Sequence, residues 1–156
     1  MSKETILILD KESNTQWTLK ALLESEGYIV LAVGTVERAL QNFQECEVSG
    51  LIAEYRIDQN HTPEIIRELK KEFPELYVMM LTHDNLKEEE YNRIISSGID
   101  DFFLKPASSE KILIFLRKGM RHRKILLQKK RLEQKLIRIR MIKNSERAAL
   151  SKALER

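Results

Sequence analysis

Five short apolar segments, separated by longer amphipathic ones, limit what this chain can fold into more than any other feature. In chain order they are TILIL (5–9), YIVLAV (28–33), GLIA (50–53), YVMML (77–81) and DFFL (101–104). Each is too short for a helix and mostly apolar throughout, as in strands that are buried on both faces. The alternation predicts an α/β fold with a doubly wound, five-stranded parallel sheet. In such a sheet the functional site lies at the carboxyl ends of the strands.

The segments between the predicted strands carry apolar residues at helical spacing. The four sets are Trp17, Leu19, Leu22 and Leu23; Val36, Ala39, Leu40 and Phe43; Ile65, Ile66, Leu69 and Phe73; and Tyr91, Ile94 and Ile95. Gly27 fits the end of the first helix, and Thr35 is the expected N-cap of the second. The pattern therefore predicts helices on both faces of the sheet.

Composition places the chain among soluble globular proteins, with 42% hydrophobic and 33% charged residues in 156. No apolar run reaches the roughly 18 residues of a membrane span, and the N-terminus lacks a signal-peptide core, so a cytoplasmic location and no membrane partner are expected. The single cysteine, Cys46, excludes a disulfide framework and a thiolate metal cluster.

Charge is distributed unevenly along the chain. Residues 117–156 contain 15 Lys/Arg and 3 Glu, a net charge of +12, whereas residues 1–116 contain 12 Lys/Arg and 21 Asp/Glu, a net charge of −9. The chain thus has an acidic head and a basic tail.

Polar residues at the predicted strand ends are Asp10, Glu54, Thr82 and Lys105, the last followed by Pro106 in SGIDDFFLKP. With EGYIVLAVGTVERAL at 26–40, they give the chain its family likeness: over about residues 4–118 it resembles the receiver domain of bacterial two-component response regulators. The resemblance implies a flavodoxin-like receiver fold and a role in phosphorelay signal transduction. It also implies a site where a pair of acids after strand one binds Mg²⁺ and an aspartate after strand three accepts a phosphoryl group, which a Thr and a Lys contact.

Several positions depart from the pattern that the resemblance implies. Asp10 takes the first acidic position, but Lys11 stands where the second acid belongs, and Glu54 stands at the phospho-acceptor position. Thr82 and Lys105 match the phosphoryl-contact positions, while Phe102 takes the aromatic switch position without a phenolic hydroxyl. In the loop after strand three, Asp58 and Thr62 replace the usual Pro and Gly.

These departures suggest a degenerate receiver, or pseudo-receiver, with no catalytic residue, no metal ligand and no cofactor. Mg²⁺ needs hard oxygen ligands, so an ammonium in place of one carboxylate removes a ligand and adds repulsion. We expect Asp10, Lys11 and Glu54 to form a degenerate acidic pocket in which Lys11 neutralises both carboxylates in place of the metal. The alternative is an active receiver that is phosphorylated at Glu54, which Thr82 and Lys105 support.

The tail predicts a long helix. We divide the chain into a receiver-like domain, 1–118, and a basic helical extension, 119–156, that continues the fifth helix. Ile125, Leu132 and Ile139 recur every seven residues, with Leu136 and Leu150 in a second row, although Lys129, Lys143 and Glu146 interrupt the pattern. This favours a parallel coiled coil and a homodimer over a solvated helix.

Three functions follow from these features. The preferred one is an interaction and dimerisation module, not an enzyme, that acts on a protein partner or a downstream output domain. An active receiver is the second. Nucleic-acid binding by the +12 tail is the third, but the tail has no aromatic residue after Phe115 and no helix-turn-helix break. The sequence leaves open whether an output domain follows in a longer protein.

Overall fold

A computed structural model describes residues 3–83 and 85–156. The strands are β1 (Thr5–Leu9), β2 (Ile29–Val33), β3 (Gly50–Ala53), β4 (Arg56–Ile57), β5 (Asn60–His61), β6 (Tyr77–Thr82) and β7 (Asp101–Leu104). The helices are α1 (Ser13–Ser25), α2 (Val36–Glu45), α3 (Thr62–Glu72), α4 (Glu88–Ser97) and α5 (Ser109–Leu154). Strands and helices alternate along most of the chain, as the apolar segments predicted.

The main sheet has five parallel strands in the order β2-β1-β3-β6-β7. This confirms the predicted doubly wound parallel sheet and the flavodoxin-like receiver fold. Because side chains alternate across a strand, Leu7 and Leu9 of β1 join one apolar cluster, while Ile6 and Ile8 join another on the opposite face. All four side chains are almost fully buried. The core therefore lies on both sides of the sheet, and β1, between β2 and β3, contributes to both of its halves.

Local signals at the helix ends agree with the sequence. The hydroxyl of Thr35 accepts a hydrogen bond of 3.2 Å from the backbone N–H of Arg38, which confirms Thr35 as the N-cap of α2. Gly27 follows the end of α1 with φ of 92°, a left-handed conformation that glycine adopts at little cost. Thr35 thus marks the start of α2, and Gly27 follows the end of α1.

A two-stranded antiparallel hairpin lies between β3 and α3 and was not predicted. Its strands, β4 and β5, pair Arg56 with His61 and Ile57 with Asn60. At the turn, Asp58 has φ of 53°, which Asp tolerates better than most residues. The hairpin occupies the loop in which the sequence departs from the receiver pattern.

The chain divides into two compact units, Met1–Arg123 and Lys124–Arg156. Met120 is 4% exposed and belongs to the same apolar cluster as Ile6, so the core of the first unit includes part of α5. The sequence-based boundary after residue 118 stays a prediction. The predicted helical tail is present, since α5 has 46 residues. The second unit is a helix with mostly exposed residues and a short end, and its coiled coil also stays a prediction.

Within residues 3–83 and 85–156, none of the helices combines the length and the apolar character that crossing a lipid bilayer demands.

Candidate functional site

The four polar residues predicted at the strand ends meet at one edge of the sheet. Asp10 follows β1 directly, Glu54 follows β3, Thr82 is the last residue of β6, and Lys105 follows β7. Parallel strands bring their carboxyl ends to the same edge, so residues far apart in sequence become neighbours. Asp10 and Thr82 are buried, at 4% and 1% exposed. The sheet thus builds a small, sheltered polar site.

The ammonium of Lys105 lies among three carboxylates. Its Nζ donates to Oδ2 of Asp10 at 2.6 Å and lies 3.0 Å from Oε2 of Glu54 and 4.0 Å from Oε1 of Glu12. The Lys105 side chain is only 7% exposed. Burial alone would lower the pKa of Lys105, but hydrogen bonds and charge attraction from Asp10 and Glu54 outweigh it and raise that pKa. Lys105 is therefore held as a cation between Asp10 and Glu54 and offsets part of their negative charge.

Both carboxylate oxygens of Glu54 have partners. Oε1 accepts a hydrogen bond of 2.7 Å from the backbone N–H of Tyr55, and Oε2 faces Lys105. The backbone of Glu54 is fixed as well, because its N–H donates to the carbonyl of Leu9 and its carbonyl accepts from the hydroxyl of Thr62 at 2.6 Å. At 13% exposed, the Glu54 side chain is directed into the site.

Asp10 is held by residues that follow it in the chain. Its Oδ1 accepts a hydrogen bond of 2.9 Å from the backbone N–H of Glu12, and its carbonyl accepts from the side-chain amide of Gln16 in α1. With Oδ2 bonded to Lys105, both carboxylate oxygens of Asp10 are engaged.

Lys11 does not lie between Asp10 and Glu54, and this part of the predicted acidic pocket is wrong. Its ammonium pairs with Asp58 at the turn of the β4–β5 hairpin, and its side chain is 69% exposed. The physical reason is that Lys105 already occupies the buried position between the two carboxylates, and a second ammonium there would meet repulsion and desolvation. Lys11 and Asp58 form a surface ion pair instead.

The two remaining predicted positions support the edge of the site. The backbone carbonyl of Thr82 accepts a hydrogen bond of 2.8 Å from the N–H of Lys105, which ties the ends of β6 and β7 together. Phe102 in β7 is half-buried and packs edge-to-face on Tyr91 of α4, with 5.8 Å between ring centroids. Position 102, the expected aromatic switch position, therefore holds an apolar ring that contacts α4.

Sequence reasoning missed a contact at the mouth of the site. Nε2 of His83, just beyond β6, hydrogen-bonds Oε1 of Glu12. This hydrogen bond is the main reason that the pKa of Glu12 is lowered; partial burial opposes it, and the charge of Lys105 adds to it. Both side chains are about half exposed. No sequence signal pairs these residues, because each comes just after a different strand.

The residues present do not fit Mg²⁺. Lys11 supplies no oxygen ligand and points to Asp58, while Asp10 and Glu54 already hold the ammonium of Lys105. A metal ion there would need charged oxygen ligands and would have to displace that ammonium. Across the described ranges 3–83 and 85–156, no group of three or more His, Cys, Asp and Glu side chains is arranged to hold a metal ion.

A five-stranded parallel sheet with acidic and basic residues at its strand ends is the architecture expected of a receiver domain, and the family comparison agrees. The family model for the response regulator receiver domain matches residues 6–117. The chain belongs to this family, and it therefore contains a receiver domain of two-component signalling.

Individual relatives are more distant. Putative NtrX-like response regulators from Rickettsia typhi and Rickettsia bellii are each 25% identical over 139 residues, which cover 88% of this chain and 29% of theirs. The chain thus spans less than a third of the length of these relatives.

Solved receiver structures share the fold. The signal receiver domain of an HD domain-containing protein from Pseudomonas fluorescens is 23% identical with a TM-score of 0.74, covering 78% of this chain and 98% of that chain. NtrX from Brucella abortus, solved in complex with ADP, is 21% identical with a TM-score of 0.73, covering 84% of this chain and 29% of that chain. At these identities the likeness concerns the fold alone.

Proposed function

We propose that this receiver works without phosphoryl transfer at Glu54 and signals through protein–protein contacts. The observation that carries the proposal is the position of Lys105, whose ammonium bridges Asp10 and Glu54 while Lys11 faces Asp58. Phosphoryl transfer depends on a cation that neutralises the transferred group, so a site without a fitting metal position lacks its main catalytic means.

Glu54 adds a second argument. Its extra methylene, relative to aspartate, would move the attacking oxygen by about 1 Å, a displacement that can cost roughly 100-fold in rate. Its two oxygens are instead bonded to Tyr55 and Lys105. Glu54 in this proposal is a fixed structural carboxylate, and the signalling state of the domain is set by what binds to it.

The proposed output is a protein partner or a downstream domain of a longer protein, together with homodimerisation through Lys124–Arg156. The exposed apolar residues of that helix support the dimer, since they lie 51–63% exposed at positions 125, 132, 136, 139 and 150. The proposal places the protein in the cytoplasm as a signalling module without enzymatic activity of its own.

Intact-mass measurement after incubation with acetyl phosphate and Mg²⁺ tests the proposal directly. We expect no added phosphoryl mass on the unmodified chain. A matched positive control is Lys11→Asp/Glu54→Asp, which restores the acidic pair and the aspartate and should gain an acid-labile adduct.

An adduct on the unmodified chain that maps to Glu54 would overturn the proposal and favour an active receiver. If the control variant gains the adduct and the unmodified chain does not, the block lies in the two substituted positions. A Glu54→Gln variant distinguishes labelling at this site from labelling elsewhere, because only the former is lost.

A further inference from the structure

The second unit carries a seam of eight residues along one side of its helix. At 100° per residue these positions stay within a narrow stripe, and they follow the alternating three- and four-residue spacing of a two-stranded coiled coil. They are Ile125, Lys129, Leu132, Leu136, Ile139, Lys143, Glu146 and Leu150. All eight are exposed in the single chain. A partner helix is needed to bury the five apolar members.

A parallel pair in register would set each seam residue opposite its own copy. Lys129 would then face Lys129, Lys143 would face Lys143, and Glu146 would face Glu146 of the second copy. Like charges in facing positions destabilise, so three of the eight layers would be repulsive. The flanking positions add to this, because Lys135 in a parallel pair lies next to Arg140 of the second copy.

An antiparallel pair gives different layers. When Leu136 is set opposite Ile139 of the second copy, the register follows along the whole seam. The layers are Leu136–Ile139, Leu132–Lys143, Lys129–Glu146 and Ile125–Leu150, each formed twice by the two-fold symmetry. No layer then opposes two like charges. Lys129 and Glu146, which interrupt the apolar pattern in sequence, become complementary partners.

The remaining layer and the flanks are also compatible with this arrangement. Lys143 meets Leu132, where its aliphatic stem can cover the leucine while the ammonium reaches solvent. Beside the seam, Glu133 lies next to Arg140 of the second copy, which replaces the parallel Lys135–Arg140 repulsion with attraction.

From this complementarity we infer that Lys124–Arg156 pairs with a second copy of itself in antiparallel orientation. The inference rests on the dimer of the proposed function and specifies its geometry. It replaces the parallel pair that the heptad spacing alone suggested. Covalent connection then puts the two Arg123–Lys124 junctions at opposite ends of the paired helices.

Charge exchange tests the orientation in the full chain. In an antiparallel pair, Lys129→Glu and Glu146→Lys each create two facing like-charge pairs. The double variant restores two opposite-charge pairs, with the charges exchanged. We expect each single variant to raise the dimer dissociation constant about tenfold or more, and the double variant to return it to the original value. In a parallel pair the single variants would exchange one like-charge layer for another and leave the dissociation constant unchanged, which would overturn the inference.

Cysteine crosslinking provides a second, independent measurement. In a Cys46→Ser background, Lys129→Cys and Glu146→Cys chains are oxidised separately and as an equal mixture. We expect a disulfide only in the mixture, since copies of position 129 would lie 17 residues, or about 26 Å, apart along the antiparallel pair. A disulfide in Lys129→Cys alone would establish the parallel pair and overturn the inference while leaving the dimer intact.

Sedimentation of the Cys46→Ser chain without oxidation separates the two possible failures. If the Cys46→Ser chain sediments as a dimer and Lys129→Cys alone forms a disulfide, only the antiparallel orientation is contradicted. A monomer at high concentration contradicts both the orientation and the dimerisation in the proposed function.

Discussion

The Nζ atom of Lys105 lies 2.6 Å from Oδ2 of Asp10, although 95 residues separate them in sequence. Both side chains are almost fully buried, and Glu54 completes the group at 3.0 Å from the same ammonium. One cation thereby holds together two acids that would otherwise repel each other at the edge of the sheet. The stability of the domain should depend on this cation more than on any charge at its surface.

Replacing Lys105 with Met should destabilise the domain strongly. The variant keeps the length of the side chain but leaves Asp10 and Glu54 facing each other without a cation, and breaking a buried ion pair costs about 3 to 5 kcal/mol. The free energy of unfolding from urea titration is the measurement.

Lys11→Met is the matched control for the Lys105 variant. Lys11 is 69% exposed and pairs only with Asp58 among the ion pairs described for it, so its loss should change the free energy of unfolding by less than about 1 kcal/mol. A larger loss for Lys11→Met than for Lys105→Met would show that Lys11, not Lys105, neutralises the acids in solution.

Alkaline pH should weaken the domain through Lys105. Its pKa is raised in the folded state, so the folded chain keeps the proton at pH values where the unfolded chain has lost it. The stabilisation is fully present below the ordinary lysine value of about 10.4 and is lost as pH rises through the higher folded-state pKa. Urea titrations from pH 8 to pH 11 should show this decline.

The comparison with Lys105→Met isolates the contribution of the lysine, because the two proteins have the same tyrosines. Burial, assisted by the hydrogen bond to Asp101, raises the pKa of Tyr77 in both proteins. The difference in unfolding free energy between the two proteins should therefore shrink above pH 10. A constant difference would contradict the assigned role of Lys105.

Gly119→Ala should destabilise the first unit despite the better helix propensity of alanine. A Cβ at Gly119 would overlap the ring of Tyr77, whose hydroxyl is fixed by Asp101. Overpacking costs about 1 to 3 kcal/mol, against a gain of up to roughly 1 kcal/mol from replacing glycine in a helix. We expect a net loss of about 1 kcal/mol in unfolding free energy, in the middle of the range that these two effects leave.

Ser145→Ala is the control for this substitution, since Ser145 is exposed in the same helix. It should be neutral or slightly stabilising, because only helix propensity changes. If Gly119→Ala behaved like Ser145→Ala, the tight contact between α5 and Tyr77 would not exist in solution.

Salt should strengthen self-association of the chain. Residues 124–156 contain 11 Lys/Arg and 3 Glu, a net charge of +8 on each helix, and this repulsion is screened over about 8 to 10 Å at physiological salt. We expect the dimer fraction in sedimentation to rise between 50 mM and 300 mM NaCl at fixed protein concentration.

Adding duplex DNA to the same samples tests nucleic-acid binding. Binding through Lys/Arg releases counterions and would weaken steeply as salt rises, which is the opposite trend. A monomer that shifts with DNA at low salt only would favour a nucleic-acid-binding tail over the dimer.

Much of the fold could be read from the sequence because each buried strand is a short apolar run. The five strands of the main sheet lie within one residue of the predicted segments, and the strand-end rule located Asp10, Glu54, Thr82 and Lys105. The β4–β5 hairpin was missed because its strands have two residues each, too few for any periodicity. The turn residues at 58–60 were the only available signal.

The error at Lys11 has a different origin. Lys11 stands at the second acidic position of the receiver pattern, which suggested contact with Asp10 and Glu54, but successive residues at a strand end point in different directions. The side chain of Lys11 pairs with Asp58 of the hairpin, while Lys105, which follows β7, lies between the two acids. Both contacts join residues that are far apart in sequence. The sequence therefore predicted which residues lie at the site better than it predicted which of them contact each other.

The strand order also determines when the chain can close its core during synthesis. β1 pairs with β2 and β3, so the centre of the sheet can form from the first 53 residues, and β6 and β7 then add on one side only. The face containing Ile6 is covered partly by Leu116 and Met120 of α5. An emerging chain must leave that face open until α5 is made, so nascent chains that end before Leu116 should be the forms most prone to aggregation and most dependent on chaperones.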